Sequence, residues 1–79
     1  MSPTVFRSQG FRFYFFSREE SRRHVHVQRA NGEAKFWLQP IIALADSYGL
    51  SQKQLNELQN IVEEKQNEIK KSWEKHFKR

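Results

Sequence analysis

Arg22-Arg23-His24-Val25-His26-Val27 places two of the chain's three histidines two residues apart, directly behind a pair of arginines. An imidazole titrates near neutrality, so it can move protons, hold a metal or bind phosphate. Two imidazoles on alternate residues of a strand stand ~6.7 Å apart along the chain and can converge on one ion. A stable metal site wants three or four ligands, and the nearby donors are Glu19, Glu20 and Glu33, set among arginines that oppose a cation. No metal and no other cofactor is therefore expected. A histidine flanked by arginine and lysine could also support acid–base chemistry at a phosphate, as in metal-independent cleavage of RNA by its own 2′-hydroxyl. The same side chains could bind phosphates without cutting them. Which chemistry is open to them depends on where they point.

The elements around them read as strands and then helices. Thr4-Val5-Phe6-Arg7, a Gln9-Gly10 turn and Phe11-Arg12-Phe13-Tyr14-Phe15-Phe16 suggest a first hairpin. The polar stretch 17–23 reads as a loop. His24 to Ala30 alternates polar and apolar residues, Asn31-Gly32 is a strong turn signal, and Glu33 to Leu38 returns. Pro40, Ile41 to Tyr48 and Gly49 read as a short capped helix. Ser51 with Gln54 forms a capping box for a long helix carrying Leu55, Leu58, Val62, Ile69, Trp73 and Phe77 on one stripe. The expected architecture is α+β and β-β-β-β-α-α: a four-stranded antiparallel sheet with a short and a long C-terminal helix packed on one face. Residues 1–79 form one domain, with strands over about 4–38 and helices over about 40–77. A long helix from Gln52 to Phe77 would project beyond the sheet and offer a free end for self-association as a homodimer or for a partner to dock.

Strand alternation then sorts the side chains. Counting outward from a two-residue Asn31-Gly32 turn sets Val27 against Phe36 and His26 against Trp37. Counting from Gln9-Gly10 sets Phe6 against Phe13 and Arg7 against Arg12. One face collects Phe11, Phe13, Phe15, Val25, Val27, Ala34, Phe36 and Leu38, and must be the face the helices cover. The other carries Arg7, Arg12, Tyr14, His24, His26, Lys35 and Trp37. The candidate chemical set is His24, His26, Arg7, Arg12 and Tyr14. Arg22, Arg23, Lys35 and Trp37 are candidates for holding nucleic acid or a protein partner, because cations meet phosphates and aromatic rings stack bases.

Composition agrees with an anionic partner. The 79 residues carry 14 Lys and Arg against 9 Asp and Glu, a formal charge of +5. Residues 1–35 hold seven of those cations and three carboxylates, and such a field attracts RNA, DNA or an acidic protein. The chain has no cysteine, so no disulfide or thiolate cage supports a core that is small at this length. No stretch reads as a signal peptide or a membrane span, and a cytoplasmic location away from the membrane is expected. Ala45, Gly49, Leu50, Leu55 and Leu58 have helix-turn-helix spacing, but Glu57, Glu63 and Glu64 suit DNA poorly, so an ordinary corner is the better reading.

Pro3-Thr4-Val5-Phe6-Arg7, Gly10 to Phe15, His24-Val25-His26-Val27 and Glu33-Ala34-Lys35-Phe36-Trp37-Leu38 together resemble a small bacterial family, the domain of unknown function 4160. The helical end, from Leu44-Ala45 through Gly49-Leu50-Ser51 to Trp73, is similar too. The resemblance implies a two-gene toxin–antitoxin arrangement in which this chain is the toxin and a small antitoxin-like protein is encoded nearby. It implies no catalytic residues. The alternative from the residues alone is a binding module without chemistry, regulating together with its genomic neighbour.

Overall fold

Gln9 and Gly10 both adopt left-handed backbone, with φ of 52° and 84°, as a tight two-residue hairpin turn requires. The turn joins β1 (Thr4–Ser8) to β2 (Phe11–Tyr14), with Phe6 opposite Phe13 and Arg7 opposite Arg12 as counted from the sequence. The structure is a computed structural model that describes residues 4–15 and 22–77. Pro3, Phe16, Arg18, Glu19, Glu20 and most of the expected loop lie outside the described residues.

β3 (His24–Arg29) and β4 (Gly32–Trp37) form the second hairpin, but its turn is Ala30-Asn31. Arg29 pairs with Gly32, Val27 with Ala34, His26 with Lys35 and His24 with Trp37. The register is thus two residues away from the count based on Asn31-Gly32. A two-residue slip leaves every side chain on its expected face. Gly32 is needed elsewhere: a Cβ there would run into the Leu50 side chain and lie 2.9 Å from the Gly49 carbonyl oxygen. The turn therefore falls on Ala30, which accepts a φ of 49°.

The segment expected as a short helix is a fifth strand, β5 (Ala43–Tyr48), pairing antiparallel with β4. Among the described residues the sheet has five strands, in the order β1-β2-β3-β4-β5, rather than four. Gly49 keeps a left-handed φ of 72°, but it turns the chain from a strand into a helix. The corner with helix-turn-helix spacing is thus a strand–helix corner.

Ser51 caps α1 (Gln52–Glu64) through the expected box: its hydroxyl accepts from the Gln54 amide at 3.1 Å, and the Gln54 side chain accepts from the Ser51 amide at 2.9 Å. The expected single helix breaks at Lys65, and α2 (Gln66–Phe77) follows. A straight helix over 52–77 would run ~39 Å, whereas the longest dimension of the fold is 35 Å. Among the described residues α2 ends against the sheet, with the Phe77 ring 6.1 Å from that of Phe15. Trp73 packs edge-on to Phe15 at 5.3 Å and against Phe77 at 4.2 Å.

Leu58, Ile61, Val62, Ile69 and Trp73 close over Phe11, Phe13, Phe15, Val25, Val27, Ala34, Phe36 and Leu38 to form one core. Each large apolar side chain buried there contributes ~1.5–3 kcal/mol. The architecture is α+β, an antiparallel sheet followed by two helices that cover one face. No described helix is long and apolar enough to cross a membrane.

Candidate functional site on the open sheet face

Cross-strand pairing sets the face opposite the core in rows. One row runs Arg7, Arg12, Gln28, Glu33, Tyr48 across the five strands. The next runs Thr4, Tyr14, His26, Lys35, Asp46, and the third holds His24, Trp37 and Ala43. The rows are possible because pairing is antiparallel throughout, so directly opposed residues share a face.

Cations lie on rings along these rows. Residues two apart on a strand share a face, and this puts the Arg12 guanidinium 4.5 Å from the Tyr14 ring centroid. The same spacing puts Lys35 Nζ 4.6 Å from the Trp37 centroid. Arg22 covers Trp37 as well, at 4.1 Å, while its Nε donates to the Gln39 carbonyl at 3.1 Å. Each such contact is worth ~0.5–1 kcal/mol when exposed, and more when water is excluded. Arg12 Nε also donates to Thr4 Oγ1 at 2.7 Å. Tyr14 and His26 stack at 5.4 Å, and His26 meets His24 edge-on at 5.0 Å. Covered by these neighbours, Tyr14 is only 7% exposed although it stands on the open face. That burial pushes its phenol above the usual 10.0, the Glu33 carboxylate adds to the effect, and Arg12 opposes it. The hydroxyl stays protonated at neutral pH and remains a hydrogen-bond donor.

Two expectations for the histidines are corrected. His24 is on the face that strand parity assigns it, but it is 1% exposed. The end of α2 brings Trp73 to within 5.3 Å of it, Trp37 lies at 5.7 Å, and its Nδ1 is 2.7 Å from the Arg22 carbonyl oxygen. A carbonyl only accepts, so Nδ1 carries the proton. His24 is therefore enclosed rather than part of an open surface. His26 is half-buried, sits opposite Lys35 and Tyr14 rather than Trp37, and has its Nε2 shielded from solvent.

The structure thus brings Arg12, Tyr14, His26, Lys35, Trp37 and Arg22 together. Arg7 lies with Arg12 at the hairpin end. Arg23 leaves the group: it pairs with Glu74 of α2 at 3.1 Å, and its carbonyl accepts from the Leu38 amide at 2.9 Å. Beside His26, a hollow of about 160 Å³ is lined by Glu33, Lys35, Asp46, Ser47 and Tyr48. Asp46 and Tyr48 enter the site only because β5 is a strand. Once β5 is read as a helix, no feature of the sequence marks them. Among the described residues no three of His, Asp and Glu converge to hold a metal ion.

No curated protein and no solved structure matches the chain. A family model does match, over residues 10–74, and that span includes β2 to β5 and the Trp73 contact, while β1 precedes it. The chain belongs to the family described as Domain of unknown function (DUF4160).

Proposed function

We propose that the chain is the toxin of a bacterial toxin–antitoxin module and acts on RNA, or on a process that uses nucleic acid, through its open sheet face. The observation that carries this reading is the set of Arg22, Lys35 and Arg12 lying on Trp37 and Tyr14. Paired cations and rings on one surface suit a strand whose phosphates and bases alternate. The family resemblance contributes the two-gene context, with a small antitoxin encoded nearby that would cover the face. The module would work in the cytoplasm, where RNA is its target.

A second reading, a binding module without chemistry, is favoured by the histidines themselves. His24 is enclosed, and Nε2 of His26 is shielded from solvent. His26 is then the imidazole of the face on which any proton transfer would rest.

Induced expression, alone and with the neighbouring gene, separates these possibilities. Growth arrest that the neighbour relieves is the expected result. Absence of arrest would remove the toxin reading. RNA recovered from arrested cells would be cut in a pattern lost in His26→Ala if the face is catalytic, and intact if it only binds.

A further inference from the structure

Arg7 and Arg12 are directly opposed on β1 and β2, and Gln28 is the partner of Arg12 on β3. Like charges directly opposite one another destabilise a hairpin, so the fold accepts a cost here that neutral residues would avoid. Arg29 joins them from the tip of the second hairpin. Its guanidinium lies 5.2 Å from the Phe11 ring centroid, and its side chain crosses Gly10, where even a Cβ would lie 3.4 Å from Nε. The bare turn of the first hairpin therefore seats an arginine of the second. Strand parity places Arg29 with Val27 on the covered side, so alternation alone does not reveal it.

The three arginines, with Thr4, Gly10 and Gln28, line an open hollow of about 440 Å³. Among the described residues no carboxylate lines it, whereas the hollow beside His26 carries Glu33 and Asp46. Arg12 is oriented there by its bond to Thr4 and by the Tyr14 ring. Planar guanidinium forks recognise oxyanions in pairs of hydrogen bonds, and three of them together favour a ligand with several negative oxygens. The hollow is open rather than enclosing, which suits a polymer passing across it. The half-buried rings of His26 and Trp37 on the same face offer partly open surfaces for bases, which an acidic protein would not use.

We infer that this hollow grips the phosphodiester backbone of single-stranded RNA, with Arg29 a binding residue beside Arg7 and Arg12; this rests on the RNA reading above. Arg7 and Arg29 are exposed, so Arg7→Gln and Arg29→Gln leave the core untouched. Binding of a fluorescein-labelled twelve-nucleotide oligouridylate is measured by anisotropy between about 50 and 200 mM salt, with Lys53→Gln on α1 as the control. Each arginine variant is expected to bind about tenfold more weakly, as for loss of a hydrogen bond to a charged group. Each should also flatten the log–log salt slope by about 0.7, the contribution of one phosphate contact on a single strand. Lys53→Gln should change neither.

If the parent binds RNA and the arginine variants bind equally well, the hollow is not the phosphate site, while the RNA reading stands. If the parent ignores RNA but inorganic tripolyphosphate shifts the amide resonances of Gly10 and Arg29, an oxyanion site exists and the RNA reading fails. Loss of polyglutamate binding in the variants with RNA binding intact would overturn the inference in favour of an acidic protein. No binding of any of the three probes overturns both.

Discussion

Replacing His24 with Ala is expected to weaken the fold as a core substitution does, although strand parity assigns this residue to the open face. The hydrogen bond from Nδ1 to the Arg22 carbonyl, 2.7 Å long, contributes ~1 kcal/mol. Edge-on contacts with Trp37 at 5.7 Å and Trp73 at 5.3 Å are worth ~0.5–1.5 kcal/mol each. Emptying a site that is 1% exposed leaves a cavity that adds to the cost. The total comes to ~3 kcal/mol, against a whole stability of ~4–12 kcal/mol for a chain of this size. Urea titration and thermal melting by circular dichroism report it, and the melting temperature should drop by ~12–24 °C. His24→Asn offers a carboxamide N–H near the position of Nδ1 and should recover ~1 kcal/mol. If His24→Ala melts within ~5 °C of the parent, the burial described for this residue is wrong and it returns to the list of surface groups. A loss of activity in His24→Ala accompanied by the expected unfolding would not be evidence for catalysis.

Ala30 holds a left-handed φ of 49°, so Ala30→Gly should gain ~0.5 kcal/mol, the relief of strain exceeding the added chain entropy, as read from the urea midpoint. Gly32→Ala should cost ~2 kcal/mol or more by the same titration, because its Cβ enters the Leu50 side chain and meets the Gly49 carbonyl; a neutral result would mean that the two hairpin ends are not in contact. Burial first and Glu33 second raise the Tyr14 pKa above 10.0, so the unfolded chain releases the phenol proton before the folded one does. Stability from this group is full below the unfolded value and is lost as pH rises through the folded one, so unfolding midpoints should fall as pH is raised above 10.0 in the parent and less in Tyr14→Phe.

The two faces of the sheet were legible because alternation has a period of two and the slip in register was also two. What misled the turn was a tertiary demand: Asn31-Gly32 has the residue types of a hairpin turn, but Gly32 is taken by contact with Gly49 and Leu50. Ala43-Leu44-Ala45 favours helix locally, yet pairing with β4 along its open edge outweighs that preference. The break at Lys65 was hidden because Val62 and Ile69 are seven apart, a step that keeps helical phase without showing that the helix is unbroken. Within the site, Arg12, Tyr14, Lys35 and Trp37 followed from parity. Burial of His24 did not, since it depends on where α2 ends and on Trp73 reaching around the sheet.

The opposed arginines on β1 and β2 make dissolved salt act on this protein in two contrary ways. Their mutual repulsion operates between directly opposed positions of the sheet, and a Debye length of ~8 Å at physiological ionic strength only partly screens it. Raising the salt relaxes that repulsion and firms the first hairpin, while, on the proposed phosphate-binding role, the same ions would compete for the guanidinium forks and loosen their hold on a polyanion. A buffer chosen because it raises the melting temperature would thus mask binding, and the conditions that reveal binding are those in which the free protein is least at ease. A polyanion bound as proposed would do what the salt does for the hairpin, and would do so with the ligand in place.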